Sequence, residues 1–507
     1  MIGRKRLRIG LAVFAAITLL SWWQYVAYLS SRMPLPDGLA YASPRLITQV
    51  DQVEFLADTT GRQNDEHRAN QMIFDQVFEL IADAEDFLLI DCFLWNDYAG
   101  ADAAEPHRNL STELVDALLA KHGTHPDMPI IVISDPINEV YGGAPWSGFD
   151  RLRDAGIAVV LTDLTKLRDS NPAYSALWRT FIQPWGNHAG GNASSHPLNG
   201  AANTVTRRSW LALLNFKANH RKLIIADAAR HDGNGREMVA LIMSANPHDG
   251  SSAHSNVALM VRGEIWRHVA ESEQAVLKFS SDPRVLFDLL PEYAATTADI
   301  VMPVTAPPDS VHTQLLTESA IHRRLRELFA FSEPEPATMD LALFYLSDRE
   351  LIDDLVNASN QGAQIRIILD PNKDAFGYEK NGVPNRPVAA ELVQRSNGRI
   401  QVRWFDTQGE QFHAKFALVR RQGRQPELML GSANYTDRNL GDYNLETNVS
   451  VAGPADTPAI LDAQAWFDRL WHNTDGAFTT DYDTYADDGL WHRWLYRIQE
   501  ATGLSTF

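Results

Sequence analysis

Two short stretches carry side chains able to act on a phosphate ester. Asn219-His220-Arg221-Lys222-Leu223-Ile224-Ile225-Ala226-Asp227 reads H-x-K-x4-D, and Phe412-His413-Ala414-Lys415-Phe416 repeats its beginning. Residues two apart on an extended chain point to the same side, about 7 Å apart along it. His220 and Lys222 can therefore address one ligand, as can His413 and Lys415. An imidazole titrates near neutrality and serves as nucleophile or proton carrier. An ammonium group offsets the negative charge by which a phosphodiester repels nucleophiles. Each stretch is followed by a small polar element, Ser244-Ala245-Asn246 in one case and Gly431-Ser432-Ala433-Asn434 in the other. The amides of Asn246 and Asn434 and the hydroxyls of Ser244 and Ser432 are candidate donors to a phosphate. A lone histidine is more often a core residue than a catalyst, but four elements recurring in matched order argue for a shared site.

These residues resemble the phospholipase D superfamily, whose members carry paired H-x-K-x4-D motifs, each followed by a G-S-x-N-like segment. The resemblance runs from about Asp51 to Val451 and is nearest to the bacterial cardiolipin synthase and phospholipase branch. It implies a covalent phosphohistidine route with His220 as nucleophile and His413 as acid/base, an order the chain itself does not fix, with Lys222 and Lys415 neutralising the phosphate, Asp227 and Glu446 in the catalytic set, and no metal or cofactor. Two positions depart from the pattern. Arg420 stands where the second motif would have the counterpart of Asp227. The shared Asn-Val at 256–257 and 448–449 aligns Glu446 with His254. Glu446 is therefore expected to hold Nδ1 of His413, and His220 to lack a carboxylate of this kind.

The elements that must position these side chains also read twice. An apolar strand from Phe87 to Trp95, a helix from Ser111 to Lys121, a strand ending at Ile133-Ser134-Asp135-Pro136 and a third strand at Ala158–Leu161 make the first series. Met339 to Leu346, Asp348 to Asn360, a strand closing on Leu369-Asp370-Pro371, and Ile400 to Trp404 make the second. The expected fold is α/β: two duplicated halves, each a mostly parallel sheet covered by helices, with the active site between them. The expected division is an N-terminal tail, anchor and linker over 1–45, halves over 46–302 and 303–455 with a proline-rich linker at Pro303–Pro308, and a helical extension over 456–507. In that extension Trp491, Trp494, Leu495 and Ile498 share one face, expected to pack on the core. Trp185 to Val205 reads as a long surface loop with His188 and His196 solvated.

Ahead of all this, Arg4, Lys5, Arg6 and Arg8 precede an uncharged run from Ile9 to Ser31, long enough to cross a bilayer. The charge asymmetry predicts a single-pass anchor with the N-terminus cytoplasmic and the catalytic part outside the cytoplasm. A cleaved signal peptide is the competing reading, with Ala40-Tyr41-Ala42 as its cleavage site. The chain of 507 residues has a net charge of -19, which disfavours nucleic acid as a partner. Its single cysteine, Cys92, excludes an intramolecular disulfide and any multi-cysteine metal site, and packing is the expected role of that residue. The anchor favours phospholipid as substrate, with a nuclease or a silent phosphate-binding homologue as alternatives. Hydrolysis versus transfer, head group and oligomeric state are not legible in the chain.

Overall fold

The computed structural model describes residues 2–63, 66–98, 108–190, 194–197, 200–230, 233–281, 310–331, 334–375 and 378–504. The proline-rich linker at Pro303–Pro308 lies outside them. The apolar runs form two large sheets. From edge to edge the first comprises Glu66–Asn70, Val53–Gln63, Asn256–Arg262, Arg236–Met243, Lys222–Ala229, Leu88–Cys92, Ile130–Ser134 and Ala158–Leu161. The second comprises Leu46–Gln49, Ser310–Thr317, Thr447–Ala452, Glu427–Gly431, Lys415–Arg421, Ala337–Leu343, Gln364–Leu369, Ile400–Phe405 and Thr479–Asp481. Apart from the outermost strands, the two sheets have the same strand order, and each motif opens the strand next to the parallel part.

The α/β reading holds, but the sheets are mixed rather than mostly parallel. Parallel pairing is confined to the strands at 88–92, 130–134 and 158–161 and to those at 337–343, 364–369 and 400–405. The remaining pairings within both sheets are antiparallel. The helical crossovers deliver parallel neighbours, whereas each motif strand is followed within a few residues by its antiparallel neighbour, Ala229 by Arg236 and Arg421 by Glu427.

Both faces of each sheet are covered, so the strands read as apolar runs rather than alternations. Leu223 and Ile225 join one core with Phe416 and Leu418 from the other sheet, while Ile224 and Ala226 pack beneath the helices of their own half. The layers are therefore helices, sheet, sheet, helices. Two helices tie the halves together. Ile265–Ser280, which follows the first sheet, and Pro458–His472, which follows the second, both feed the inter-sheet core. Trp466 of the latter donates its indole N–H to Thr59 Oγ1 at 3.0 Å.

At the N-terminus Ile2–Ser31 is one helix, of which Arg8–Ser31 is long and apolar enough to cross a membrane. Its last turns lie against the helix Pro172–Phe181: Trp23 Nε1 donates to Ala173 O at 2.8 Å, and Asp169 N donates to Ser30 O at 3.1 Å. The C-terminal helix Leu490–Thr502 departs from expectation. Trp491 and Trp494 are 70% and 64% exposed, and the inward residue is Tyr496. The Tyr496 hydroxyl donates to Glu391 at 2.6 Å, and Glu391 also takes Arg349 and Arg497. That polar anchor turns the helix so that its tryptophans face outward. The 185–205 segment is also more ordered than a loop, since Ser194–His196 pairs with Gly200–Val205. His188 is exposed as expected, but His196 is buried with its ring 4.3 Å from that of Tyr98.

Candidate active site

The motif strands begin where the two halves meet, and each is stitched to the other half. His220 N donates to Leu445 O at 2.9 Å and Leu445 N to Ala218 O at 3.0 Å; His413 N donates to Ser255 O at 2.8 Å and Ser255 N to Gln411 O at 3.0 Å. A buried aspartate just past the second parallel strand fixes the residue before each histidine: Asp135 accepts from Asn219 N at 2.7 Å, Asp370 from Phe412 N at 2.8 Å. Phe93 and Phe344, which follow the first parallel strands, each lie 4.9 Å from the ring of His220 and His413 respectively. The lysines fold back under their own histidines, Lys222 Nζ donating to His220 O at 2.7 Å and Lys415 Nζ to His413 O at 2.6 Å. Both are fully buried.

One cavity of about 460 Å³ takes in both halves, with His220, Asn246 and His254 from the first and His413, Asn434 and Tyr345 from the second. The orienting groups are exchanged relative to the sequence expectation. Glu446 holds His220, not His413: His220 Nδ1 lies 2.9 and 3.0 Å from its two carboxylate oxygens. His413 Nδ1 lies 3.0 Å from Ser244 O and 3.2 Å from Asn256 Oδ1. The physical reason is the cross-half stitching. The bridge between Asn219 and Leu445 brings Glu446 beside His220, and the bridge between Ser255 and Phe412 brings the 254–256 segment beside His413. His254 accordingly faces His413, with ring centroids 5.8 Å apart. Carboxylates and carbonyls only accept, so Nδ1 carries the proton in both rings and Nε2 holds the lone pair.

Burial pushes His220 down to about 4 against the pull of Glu446, with Lys222 and Lys415 adding to the shift. Burial also holds His413 well below its usual value, and Lys415, His254 and Lys222 repel its charged form further. Lys222 is lowered to about 8 by burial, opposed by Glu446. Lys415 is lowered by burial and by Lys222. An anion in the cavity, which His220 and His413 line and Lys222 and Lys415 do not, would favour the charged forms of these groups.

Three other predicted site residues lie away from the cavity. Ser432 donates to Glu446, and Ser244 donates to Asn256 Oδ1 at 3.0 Å, so both hydroxyls hold the groups behind the histidines rather than a ligand. Asp227, at the inner part of its strand, accepts from the backbone N–H groups of Glu85, Asp86 and Phe87 and from Arg236. Burial alone would raise its pKa, but Phe87, Asp86, Arg236 and Glu85 hold it below the ordinary value. A depressed carboxylate stabilises the fold above the unfolded-state pKa and loses that contribution as pH falls through its folded value. Asp227→Asn is expected to cost about 2 kcal/mol near neutrality, less below about pH 4, with kcat unchanged; urea unfolding at two pH values and a diesterase assay check this. Arg420 belongs to the same kind of clamp with the charges exchanged. It reaches Asp340 at 2.5 Å and Thr338 Oγ1 at 2.9 Å, so the incomplete second motif leaves the cavity untouched.

The residue between His220 and Lys222 was not expected to matter. Arg221 is fully buried between Glu273 of the 265–280 helix and Glu318 ahead of the 319–329 helix, at 2.7 Å from each. Glu318 also accepts the backbone N–H of Glu446 at 3.1 Å. Arg221 thus ties both halves to the group that orients His220; its counterpart in the second motif is Ala414, which packs in the inter-sheet core. Arg221→Met strands two buried carboxylates and is expected to cost about 3–5 kcal/mol, read as a lower urea midpoint. Asp135 and Asp370 were visible as matched Asp-Pro pairs and Asn256 as part of a matched Asn-Val pair; Arg221 and Asn439, whose amide donates to Glu446, had no such signal. Among the described residues no group of three or more His, Cys, Asp or Glu is arranged to hold a metal ion.

Residues 333–471 match the family described as cardiolipin synthase, PLD-like domain. No curated protein matches the chain. Among solved structures, phosphatidylserine synthase from Haemophilus influenzae Rd KW20 is similar at 14% identity over 90% of this chain and 94% of that one, with a TM-score of 0.51. Polyphosphate kinase from Porphyromonas gingivalis is 14% identical over 83% and 51%, with a TM-score of 0.42. A phospholipase D family member from Salmonella typhimurium is 15% identical over 33% and 97%, with a TM-score of 0.25. The family match covers the second motif and most strands of its sheet, and the first sheet, outside that match, repeats the same strand order around the first motif.

Proposed function

We propose that the chain is a membrane-anchored phospholipase D-type enzyme that hydrolyses or exchanges the head group of a phospholipid through a phosphohistidine. The observation that carries this reading is the pair of histidines from different halves, each fixed through Nδ1, lining one cavity. Nε2 of His220 attacks phosphorus and the bond from phosphorus to the leaving oxygen breaks. His413, which enters this step as the imidazolium with a proton on each nitrogen, gives that oxygen the proton on Nε2 and is left neutral with its Nδ1 proton in place. His413 then takes a proton from water or an alcohol, whose oxygen displaces the imidazole and restores the enzyme. Lys222, Lys415, Asn246 and Asn434 offset the charge on phosphorus oxygens. A lipid substrate is favoured by the apolar Arg8–Ser31 helix and by the net charge of -19. The basic residues at 4–8 favour a cytoplasmic N-terminus with the catalytic part on the other side. The division at 1–45, 46–302, 303–455 and 456–507 is kept as part of this reading, except that the strands Leu46–Gln49 and Thr479–Asp481 join the sheet of the second half.

The test is incubation of the full chain in detergent with phosphatidylglycerol or phosphatidylcholine, with and without a competing primary alcohol. Phosphatidic acid, cardiolipin or a phosphatidyl alcohol is expected; folded protein that yields none of them contradicts the reading. The pH dependence is a further expectation. The acid form of His413 gains population as pH falls below its ordinary range, whereas neutral His220 is lost near pH 4. Lys222 loses charge above about 8. Accordingly kcat/KM on a soluble diester is expected to peak on the acid side of neutrality and to fall above pH 8. A profile that climbs into the alkaline range would contradict it.

A further inference from the structure

A second cavity, of about 290 Å³, lies beside the first and shares two wall residues with it, Tyr141 and Lys217. We propose that this cavity is the seat of one acyl chain of the phospholipid whose phosphate lies at His220 and His413, a proposal that rests on the lipid reading above.

Its walls suit a hydrocarbon. Leu164, Trp178, Ile182 and Ala212 supply apolar surface from the 164–166 turn, the helix Pro172–Phe181 with its C-terminal cap, and the helix Arg207–Leu213. The charged residues on the wall are already engaged. Arg208 donates to the carbonyls of Trp185 and Gly186 at 3.0 and 3.1 Å, and Asp163 accepts from Thr165 N at 3.0 Å and Thr165 Oγ1 at 2.6 Å. At the junction Lys217 is paired with Asp169 and donates to Leu167 O at 2.6 Å. With its charge held there, the lysine offers its methylene stem to the passage. An ionic ligand would find no free partner among these groups, whereas an alkyl chain needs none.

The junction is also built under strain. Val140, Tyr141 and Gly142 have φ of 47°, 56° and 83°, and a β-branched residue in that region is a true outlier. Asn187 Nδ2 donates to Tyr141 O at 2.9 Å and helps hold the turn. Such backbone persists where the surroundings over-determine it, and ligand clamps are among those places. Here it sets the Tyr141 ring between the two cavities.

The outer side of the same wall leads toward lipid. On the next face, about 100° round the helix from Trp178 and Ile182, the helix and its following turn present Leu177, Phe181 and Trp185 at 45%, 57% and 71% exposure. This stripe continues from Ala173, whose carbonyl takes the indole N–H of Trp23 on the apolar 8–31 helix. Exposed apolar surface beside a candidate membrane helix, the cavity with its apolar wall and the phosphate-site cavity thus lie on neighbouring elements, the two cavities meeting at Tyr141 and Lys217.

The test narrows the cavity with Ala212→Phe and compares dihexanoyl with dioleoyl phospholipid in mixed detergent micelles, using the full chain. The ratio of kcat/KM for long over short chains is expected to fall at least tenfold. A phospholipid with a photoactivatable terminal group on one acyl chain is expected to cross-link to the peptides holding Trp178 and Ile182 in the wild-type protein and to lose this in the variant. A ratio that stays within twofold, or cross-links confined to the exposed stripe, would overturn the acyl site while leaving the head-group chemistry standing. If the wild-type protein cleaves no phosphodiester, the functional reading itself fails; the cross-link, which needs no turnover, separates the two cases.

Discussion

Replacing His220 by alanine is expected to lower turnover of any phosphodiester by about 10⁵-fold, the scale of loss when a covalent nucleophile is removed. His220 has its Nδ1 proton held by both oxygens of a buried glutamate, which leaves Nε2 as the basic nitrogen in the cavity. Its backbone bonds to the other half do not involve the side chain, so the fold should survive the change. The companion substitution, His413→Ala, separates the roles. With a lipid whose leaving alkoxide needs a proton the loss should be comparable. With a nitrophenyl diester, whose leaving group needs none, the bond-breaking step should lose no more than about 10²-fold. Equal losses for both variants on both substrates would remove the assignment of nucleophile and acid.

Glu446→Gln is expected to lower kcat by about 10³–10⁴, with KM changed only a few-fold, by analogy with orienting carboxylates in triads. The glutamate accepts from His220, Asn439 and Ser432 and is fully buried. A glutamine can turn an N–H toward Nδ1, which moves the ring proton to Nε2 and removes the lone pair that must attack. Asn256→Ala, which removes one of two acceptors for His413, should cost much less, because Ser244 O remains at 3.0 Å. Single-turnover kinetics on both variants would separate attack from release. If Glu446→Gln instead impaired only the step that consumes the intermediate, Glu446 would be serving the acid/base and not the nucleophile.

The pairing of histidines with lysines, the two series of strands and helices, and the alignment of 254 with 446 were all visible in the chain. What the sequence could not reveal was which half serves which. Glu446 follows the second motif by 33 positions, since it stands at 446 and His413 at 413. It nonetheless orients the first, because backbone pairing between halves carries no periodic signature. The same blindness explains Asp227 and Arg420. Motif membership suggested catalysis, but a residue five positions beyond Lys222 on a strand is far from the end that faces the cavity. There the charge can be exchanged between neighbours, Asp227 with Arg236 in one half and Arg420 with Asp340 in the other. The outward tryptophans at 491 and 494 were misjudged for another reason. Amphipathic spacing identifies an apolar face but not which face is turned inward, and a single buried hydrogen bond from Tyr496 decided it.

The most direct test of the central claim is to trap the intermediate. Acid-free quenching of the full chain during turnover of a phosphate-labelled phospholipid, followed by peptide mass spectrometry, should find the phosphatidyl or phosphoryl group on the peptide containing His220, and should find none in His220→Ala or on His413. Label on His413 in the wild-type protein, or product formed at wild-type rate by His220→Ala, would contradict the account.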